Sequence, residues 1–279
     1  MSIAVELGSI FRASGQMAKA TPAFVRRDFA ITRSYRLPFI LDGFYGVLNL
    51  AVYYFISETF EGVAHADLDA PSYFAFAAVG MIIGTIIDSA SDSIVYRLRE
   101  EQLVGTLEAL LVQPLSVVQL CLGTISFPSV YAIARASLYL AIAGVWMDLD
   151  LASTNWLGLV LMLFLTGAAI TTFGILAAAL VLVLKRGEVL SSMLLFGMTI
   201  LSGSVFPVST LPGWLQWISV FLPLRYALDG TRDALFGRGG WGDDALVLAI
   251  FALVALPIAV SIFGRALAVS RRLGTVAQY

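Results

Sequence analysis

The chain has 279 residues, of which 59% are apolar and only 13% charged, and its mean hydropathy is +0.89. Soluble domains run nearer half apolar and a quarter charged, so no room is left for a separate water-soluble core. A net charge of −2 carries no field for a nucleic-acid partner, and one Cys (Cys121) and one His (His65) exclude an intrachain disulfide, a thiolate cluster and a His-based metal site.

Residues 1–36 lack the uninterrupted apolar core and small-residue cleavage site of a secretory signal, so this segment is expected to be retained. Ile3, Leu7, Ile10 and Phe11 recur at helical spacing ahead of Arg26, Arg27, Arg33 and Arg36. The pattern fits an amphipathic helix lying on the inner membrane surface, or a plain tail carrying topogenic charge. About 20 apolar residues suffice to cross the hydrocarbon layer. On that measure spans are predicted at 38–57, at 72–94 after an acidic loop, at 117–146, at 156–184, at 189–206 where Pro207 ends the run, and at 245–268. The whole of 1–279 therefore reads as one all-α, polytopic domain with six transmembrane helices.

Charge sets the orientation, because cytoplasmic loops collect Lys and Arg. Of the 17 basic residues, only Arg225, Arg232 and Arg238 fall in the opposite set of loops, and Arg135 alone lies near the middle of a span. The five Trp (Trp146, Trp156, Trp214, Trp217 and Trp241) all fall at the outer ends, where amphipathic rings favour the interface. Both termini are expected in the cytoplasm of a cell whose plasma, or inner, membrane holds the chain.

Two stretches are not plain connectors. In the inner loop 99–114, Leu103, Leu107, Leu110 and Leu111 form one apolar stripe, Glu101 and Glu108 share another face, and Pro114 breaks the run. Such a short amphipathic helix either lies flat on the membrane or presents a face to a soluble partner. In the outer segment 207–236 the proline-bounded LPGWLQWISVFLPL is too short to span and has the length of a re-entrant or interfacial piece. A helix carrying Arg225, Asp229, Arg232 and Asp233 follows it; the alternative is a solvated loop with routine ion pairs.

These stretches resemble the membrane-spanning permease subunits of ABC exporters with the six-helix, type-two architecture. Gly105-Thr106-Leu107-Glu108, then Leu110-Leu111 and Pro114, are similar to that family's coupling helix. Ser202-Gly203, Phe206-Pro207, Leu211-Pro212-Gly213-Trp214 and Pro223-Leu224-Arg225-Tyr226 are similar to its outer signature, with Leu222 where many relatives place Asn. The likeness covers nearly the whole chain. It implies a pore made of two permease subunits, as a homodimer or heterodimer, over two cytoplasmic ATPase subunits that hold ATP and Mg. It further implies that Arg99, Glu100, Glu101, Gly105, Thr106, Leu107 and Glu108 couple to the ATPase. Gly203, Phe206, Pro207, Pro212, Trp214, Pro223 and Tyr226 would form an outer gate of short re-entrant helices. No cofactor is then expected in this chain, whose two Lys, Lys19 and Lys185, do not sit in a phosphate-binding loop.

Other classes have less behind them. Asp88 and Asp92 have the D-x-x-x-D spacing that prenyl and phosphoalcohol transferases use for a divalent ion, but no second acidic cluster accompanies them. A secondary transporter or channel would use intramembrane charges, here Asp42, Asp88, Asp92 and Arg135, yet the halves show no inverted repeat. Arg135, near mid-span, is expected to face the bundle and find a carboxylate or carbonyl. Few polar groups lie in the spans, and a lining from Phe39, Phe44, Tyr45, Tyr53 and Tyr54 suits a hydrophobic or amphipathic cargo (a drug, antibiotic or lipid) or, through stacking on sugars, a lipid-linked polysaccharide.

Overall fold

Uninterrupted apolar runs with few helix breakers leave the backbone one way to satisfy its own polar groups away from water, and the chain takes it. A computed structural model describes residues 36–59, 70–104, 117–184 and 187–273 and the isolated positions 26, 29, 30 and 34; side chains at 36, 38, 39, 90–104, 117–122, 124–126, 188 and 271–273 fall outside that description. The described residues form eight helices with no strand among them. They are α1 (Arg36–Thr59), α2 (Tyr73–Val104), α3 (Val117–Trp146), α4 (Trp156–Val183), α5 (Gly187–Leu201), α6 (Gly213–Ser219), α7 (Pro223–Leu235) and α8 (Trp241–Leu273), with a 3-10 turn at Val208–Thr210.

Four helical stretches are long and apolar enough to cross a membrane: Ile40–Thr59, Phe127–Trp146, Trp156–Val183 and Trp241–Ser270. Tyr73–Ser89 and Val189–Leu201 are shorter apolar helical stretches. All six coincide with predicted spans. Two boundaries differ from expectation, each for a local reason. Helix α2 runs past 94 and through the charged Arg97 to Glu101 as far as Val104, because Leu, Arg, Glu and Gln are good helix formers and charge alone does not end a helix. Helix α5 stops at Leu201, six residues before Pro207, because Gly203 turns the chain with a φ of 81°, a left-handed conformation that favours glycine. Apart from positions 26, 29, 30, 34 and 36, the amphipathic segment read in 1–36 lies outside the described residues, as do positions 105–114 of the inner helix.

Helix α4 is the centre of the packing. Asn155 caps it by accepting from the Gly158 N–H at 2.9 Å, and it lies along α2, α7 and α8. Ala177 and Ala178 let α8 come close through Ala259 and Phe263. Helix α1 sits at one edge against α2 and α3, and α5 packs on α4. The outward faces of α1, α5 and α8 expose Ile40, Phe44, Phe55, Met193 and Leu253, apolar surface of the kind that lipid or a partner covers.

One close approach fixes the end of this arrangement beside the turn after α5. Gly80 of α2 lies against the turn after α5, so that a Cβ there would sit 1.9 Å from the Ser204 carbonyl oxygen, a backbone atom with little freedom to yield. Gly80→Ala is expected to lower stability by about 1–3 kcal/mol through overpacking. Gly84→Ala, one turn on and with open space around its Cβ, should leave it unchanged or slightly raised. Thermal unfolding of the detergent-purified protein, followed by tryptophan fluorescence, distinguishes the two.

Candidate functional site

Helical spacing puts Asp42, Tyr45, Gly46, Asn49 and Tyr53 on one face of α1, and that face looks into a cleft of about 960 Å³. The opposite walls come from α2, α3, α5 and the turn at 202–206, through residues that include Thr85, Asp88, Arg135, Ser192, Thr199 and Ser204. This lining is more polar than the aromatic and aliphatic one expected from the sequence. Tyr45 and Tyr53 do line the cleft, but Phe44 points outward and Tyr54 packs edge-on against Phe74 in the core at 5.4 Å. The Phe39 side chain lies outside the described residues.

An ion pair stands at the cleft wall. Arg135 of α3 donates to Asp42 Oδ2 of α1, which also accepts from the Tyr131 hydroxyl at 3.2 Å. The second guanidinium nitrogen reaches the Thr85 carbonyl of α2 at 3.4 Å, and the charge lies near the rings of Tyr131 and Tyr139, 5.7 and 6.0 Å from their centroids. Arg135 therefore has both the carboxylate and the carbonyl that its mid-span position demanded. Tyr139 is buried beside Gly46, its hydroxyl 3.4 Å from the Asp42 and Gly43 carbonyl oxygens. A Cβ at Gly46 would sit 1.9 Å from that hydroxyl, so glycine is what lets α1 and α3 close on each other here. Of the other intramembrane acids, Asp88 lines the cleft and the Asp92 side chain lies outside the described residues. Among the described residues no three His, Cys, Asp or Glu gather in a way that could hold a metal.

The outer signature residues occupy one continuous turn, helix, turn and helix between α5 and α8. Gly203 makes the first bend, and Pro207 and Pro212, both extended, flank the 3-10 turn and start α6. Phe206 is half-buried just before it. Gln216 of α6 ties these pieces together by donating to the carbonyls of Ser209 at 3.1 Å and Leu211 at 2.8 Å. Pro223 opens α7 at a position where a missing N–H matters least, and the Tyr226 hydroxyl donates to the Val220 carbonyl at 2.8 Å, closing the turn between α6 and α7. Trp214 and Trp217 stay exposed on α6. Of the coupling residues, Arg99, Glu100 and Glu101 lie on the last turns of α2, while Gly105, Thr106, Leu107 and Glu108 are outside the described residues.

One residue that organises this region is grouped by its sequence spacing with Arg225, Asp229 and Asp233 on one side of a helix, which does not reveal its burial. Arg232 of α7 is only 2% exposed. It donates to the Gly203 carbonyl at 2.9 Å and the Phe76 carbonyl at 3.4 Å, lies 3.6 Å over the Phe76 ring, and pairs with Asp229 at 3.7 Å. It thus joins α7, the turn after α5 and the first turn of α2. The signal was present: Arg232 falls four residues after Leu228 and eight after Leu224, on the buried stripe of its own helix. By contrast Arg225, paired with Asp229 at 3.4 Å and about one-third exposed, is the surface charge expected.

Residues 23–236 match the ABC-2 type transporter family. The chain is 30% identical over 224 residues to Nodulation protein J of Neorhizobium galegae, covering 77% of this chain and 82% of that protein. It is 29% identical over 220 residues to Nodulation protein J of Rhizobium leguminosarum bv. viciae, covering 76% and 81%. A third relative, the probable multidrug ABC transporter permease YbhR of Escherichia coli K12, is 30% identical over 165 residues, 58% of this chain and 42% of that protein. With most of its length matched and its helices apolar enough for a bilayer, the chain belongs to the ABC-2 type transporter permease family, the membrane subunits of transporters that work with an ABC ATPase.

Proposed function

We propose that the chain is the transmembrane subunit of an ATP-driven exporter, forms half of its translocation path, and passes the work of a separate ATPase from an inner lever to an outer gate. The observation that carries this is the cleft. A face bearing a carboxylate, an amide and two phenols is expensive in lipid and useful only where it meets cargo, water or a partner. Helix α1 forms one wall of the cleft at the edge of the bundle, and α5 lines it too, so a second permease copy set against these helices would close it into a pore. In this scheme six spans cross the inner membrane, both termini are cytoplasmic, and the 207–236 segment is the re-entrant outer gate. The helix at 99–114 seats in a groove of the ATPase, which binds ATP and Mg. ATP-driven closure of the two ATPase subunits then switches the packed spans between inward-facing and outward-open arrangements.

The cargo is amphipathic. Aromatic faces beside polar groups suit a drug, antibiotic or lipid, and the name of the YbhR relative supports that reading. The polar lining also favours a second reading, a lipid-linked polysaccharide. Purification through a tag on this chain should bring down an ABC ATPase. Glu108→Lys should lose it, with ATP-dependent transport in proteoliposomes falling to background while the permease stays folded and monodisperse. Full transport by the permease alone, without any ATPase, would sink the exporter reading.

A further inference from the structure

A second hollow, of about 640 Å³, lies between α4, α5 and α8, and Leu195 of α5 lines both it and the cleft. Ala177 and Ala179 of α4 and Ala266 of α8 are too small to fill it. Its side chains are hydrocarbon except for the Met198 thioether and the Ser191 hydroxyl, which donates to the Gly187 carbonyl at 2.7 Å and so turns no proton into the groove. A water there would lack the two to four polar partners that hold one, and an empty hollow forfeits dispersion contacts along its walls, so an apolar occupant fits it. Depth narrows the choice. From Phe173, stacked on Phe251 at 5.8 Å, to Val183 the lining runs roughly 15 Å along α4 at about 1.5 Å per residue. That is one leaflet of a hydrocarbon core about 30 Å thick.

We propose that this groove binds one acyl chain of an anionic phospholipid from the leaflet nearer Leu184, with the phosphate on Arg265 of α8. Arg265 lies three residues after Ile262 and one before Ala266, both of which line the groove, so it stands at the lip. It is exposed and has no carboxylate partner among the described residues. It sits in the last third of an apolar helix, where its long stem carries the guanidinium out to head-group level. A cation beside a hollow one leaflet deep matches the two halves of an anionic lipid. A zwitterionic lipid would bring its own ammonium against the arginine, a cationic amphiphile would be repelled, and a neutral apolar molecule would leave the charge unmatched. Because Leu195 belongs to both hollows, a chain held here backs one wall of the cleft. Neither the cargo nor the ATPase enters this argument; the exporter reading only makes the leaflet the cytoplasmic one.

The test places the full chain in phosphatidylcholine nanodiscs that hold a fixed trace of phosphatidylglycerol with a diazirine midway along one acyl chain. Labelled positions are mapped by peptide mass spectrometry while unlabelled phosphatidylglycerol replaces phosphatidylcholine stepwise. Labelling of 173–184 and 191–198 should fall about fivefold or more, as at a saturable site, whereas labelling around Leu253, on the outward face of α8, should stay within about twofold. Arg265→Gln should raise the half-competing fraction about fivefold, the share of one basic side chain at an anionic surface, with Arg265→Lys close to wild type. Leu180→Trp, which fills the groove, should abolish the competed label and leave that at Leu253 unchanged. If the tryptophan variant does not fold, the exposed Arg265→Gln still decides the matter. Competition no stronger in the groove than at Leu253 overturns the proposal, as does an unchanged half-competing fraction in Arg265→Gln. So does quantitative crosslinking between copies through Leu194→Cys in a Cys121→Ser background with no competed label, which would assign the groove to a second permease. Competed label in a chain that recruits no ATPase would remove the exporter reading and leave this site standing.

Discussion

Arg232→Met is expected to destabilise the protein by roughly 3–5 kcal/mol, enough to lower its yield in the membrane as well as its melting temperature. Two charge-assisted hydrogen bonds are lost, each worth about 1.5–3 kcal/mol, together with a desolvated cation–π contact of about 2 kcal/mol. These do not add fully because the three contacts share one guanidinium. The carbonyls of Gly203 and Phe76 are left facing a methionine that cannot donate to them. Arg232→Lys should fall between wild type and Met, since a single ammonium lacks the planar fork that reaches two carbonyls and stacks on Phe76. Arg225→Met is the matched control: its ion pair is about one-third exposed, which limits the loss to about 1 kcal/mol or less. Melting curves that place the two arginine variants within experimental error of each other would refute the structural role given to Arg232.

The Asp42 and Arg135 pair should behave differently, because removing one partner strands the other. Asp42→Leu leaves a guanidinium in a span with only the Thr85 carbonyl and ring faces, and a loss of about 3–5 kcal/mol is expected; Arg135→Leu should lose less, since the stranded carboxylate is nearly half exposed. The double variant Asp42→Leu/Arg135→Leu should recover most of the stability. Its measured interaction energy should therefore be large and favourable to the pair. Additive losses in the double variant would mean that the two charges do not depend on each other.

Hydropathy alone exposed the apolar helices, since the runs at 38–57 and 156–184 need no tertiary information to be recognised. The partner of Arg135 was legible in kind but not in identity. An unpaired mid-span charge is too costly to stand, but only packing selects Asp42, which lies 93 residues away. The polar character of the cleft was hidden because Asp42, Tyr45, Asn49 and Tyr53 are diluted in an apolar run and become a stripe only when read at helical spacing. The burial of Arg232 was hidden for a related reason: helical spacing groups it with Arg225 and Asp229, whereas burial depends on what packs against that part of the helix. The outer turns show what local chemistry does reveal, since Pro212 and Pro223 stand at helix starts as their fixed φ and missing N–H require.

The continuity of α2 has a mechanical consequence. Thirty-two helical residues at about 1.5 Å each make a rod roughly 48 Å long, with Phe76 and Gly80 at one end and Glu101 near the other. No hinge, proline or turn divides it within Tyr73–Val104. If the rod pivots at one end, a tilt of about 5° moves the far end by roughly 4 Å, within the range over which packed helices exchange one register for the next. Both the Arg232 clamp on Phe76 and the Ser204 seat on Gly80 ride on that end. A tilt of α2 about its Glu101 end would thus move both contacts together, as one rigid body.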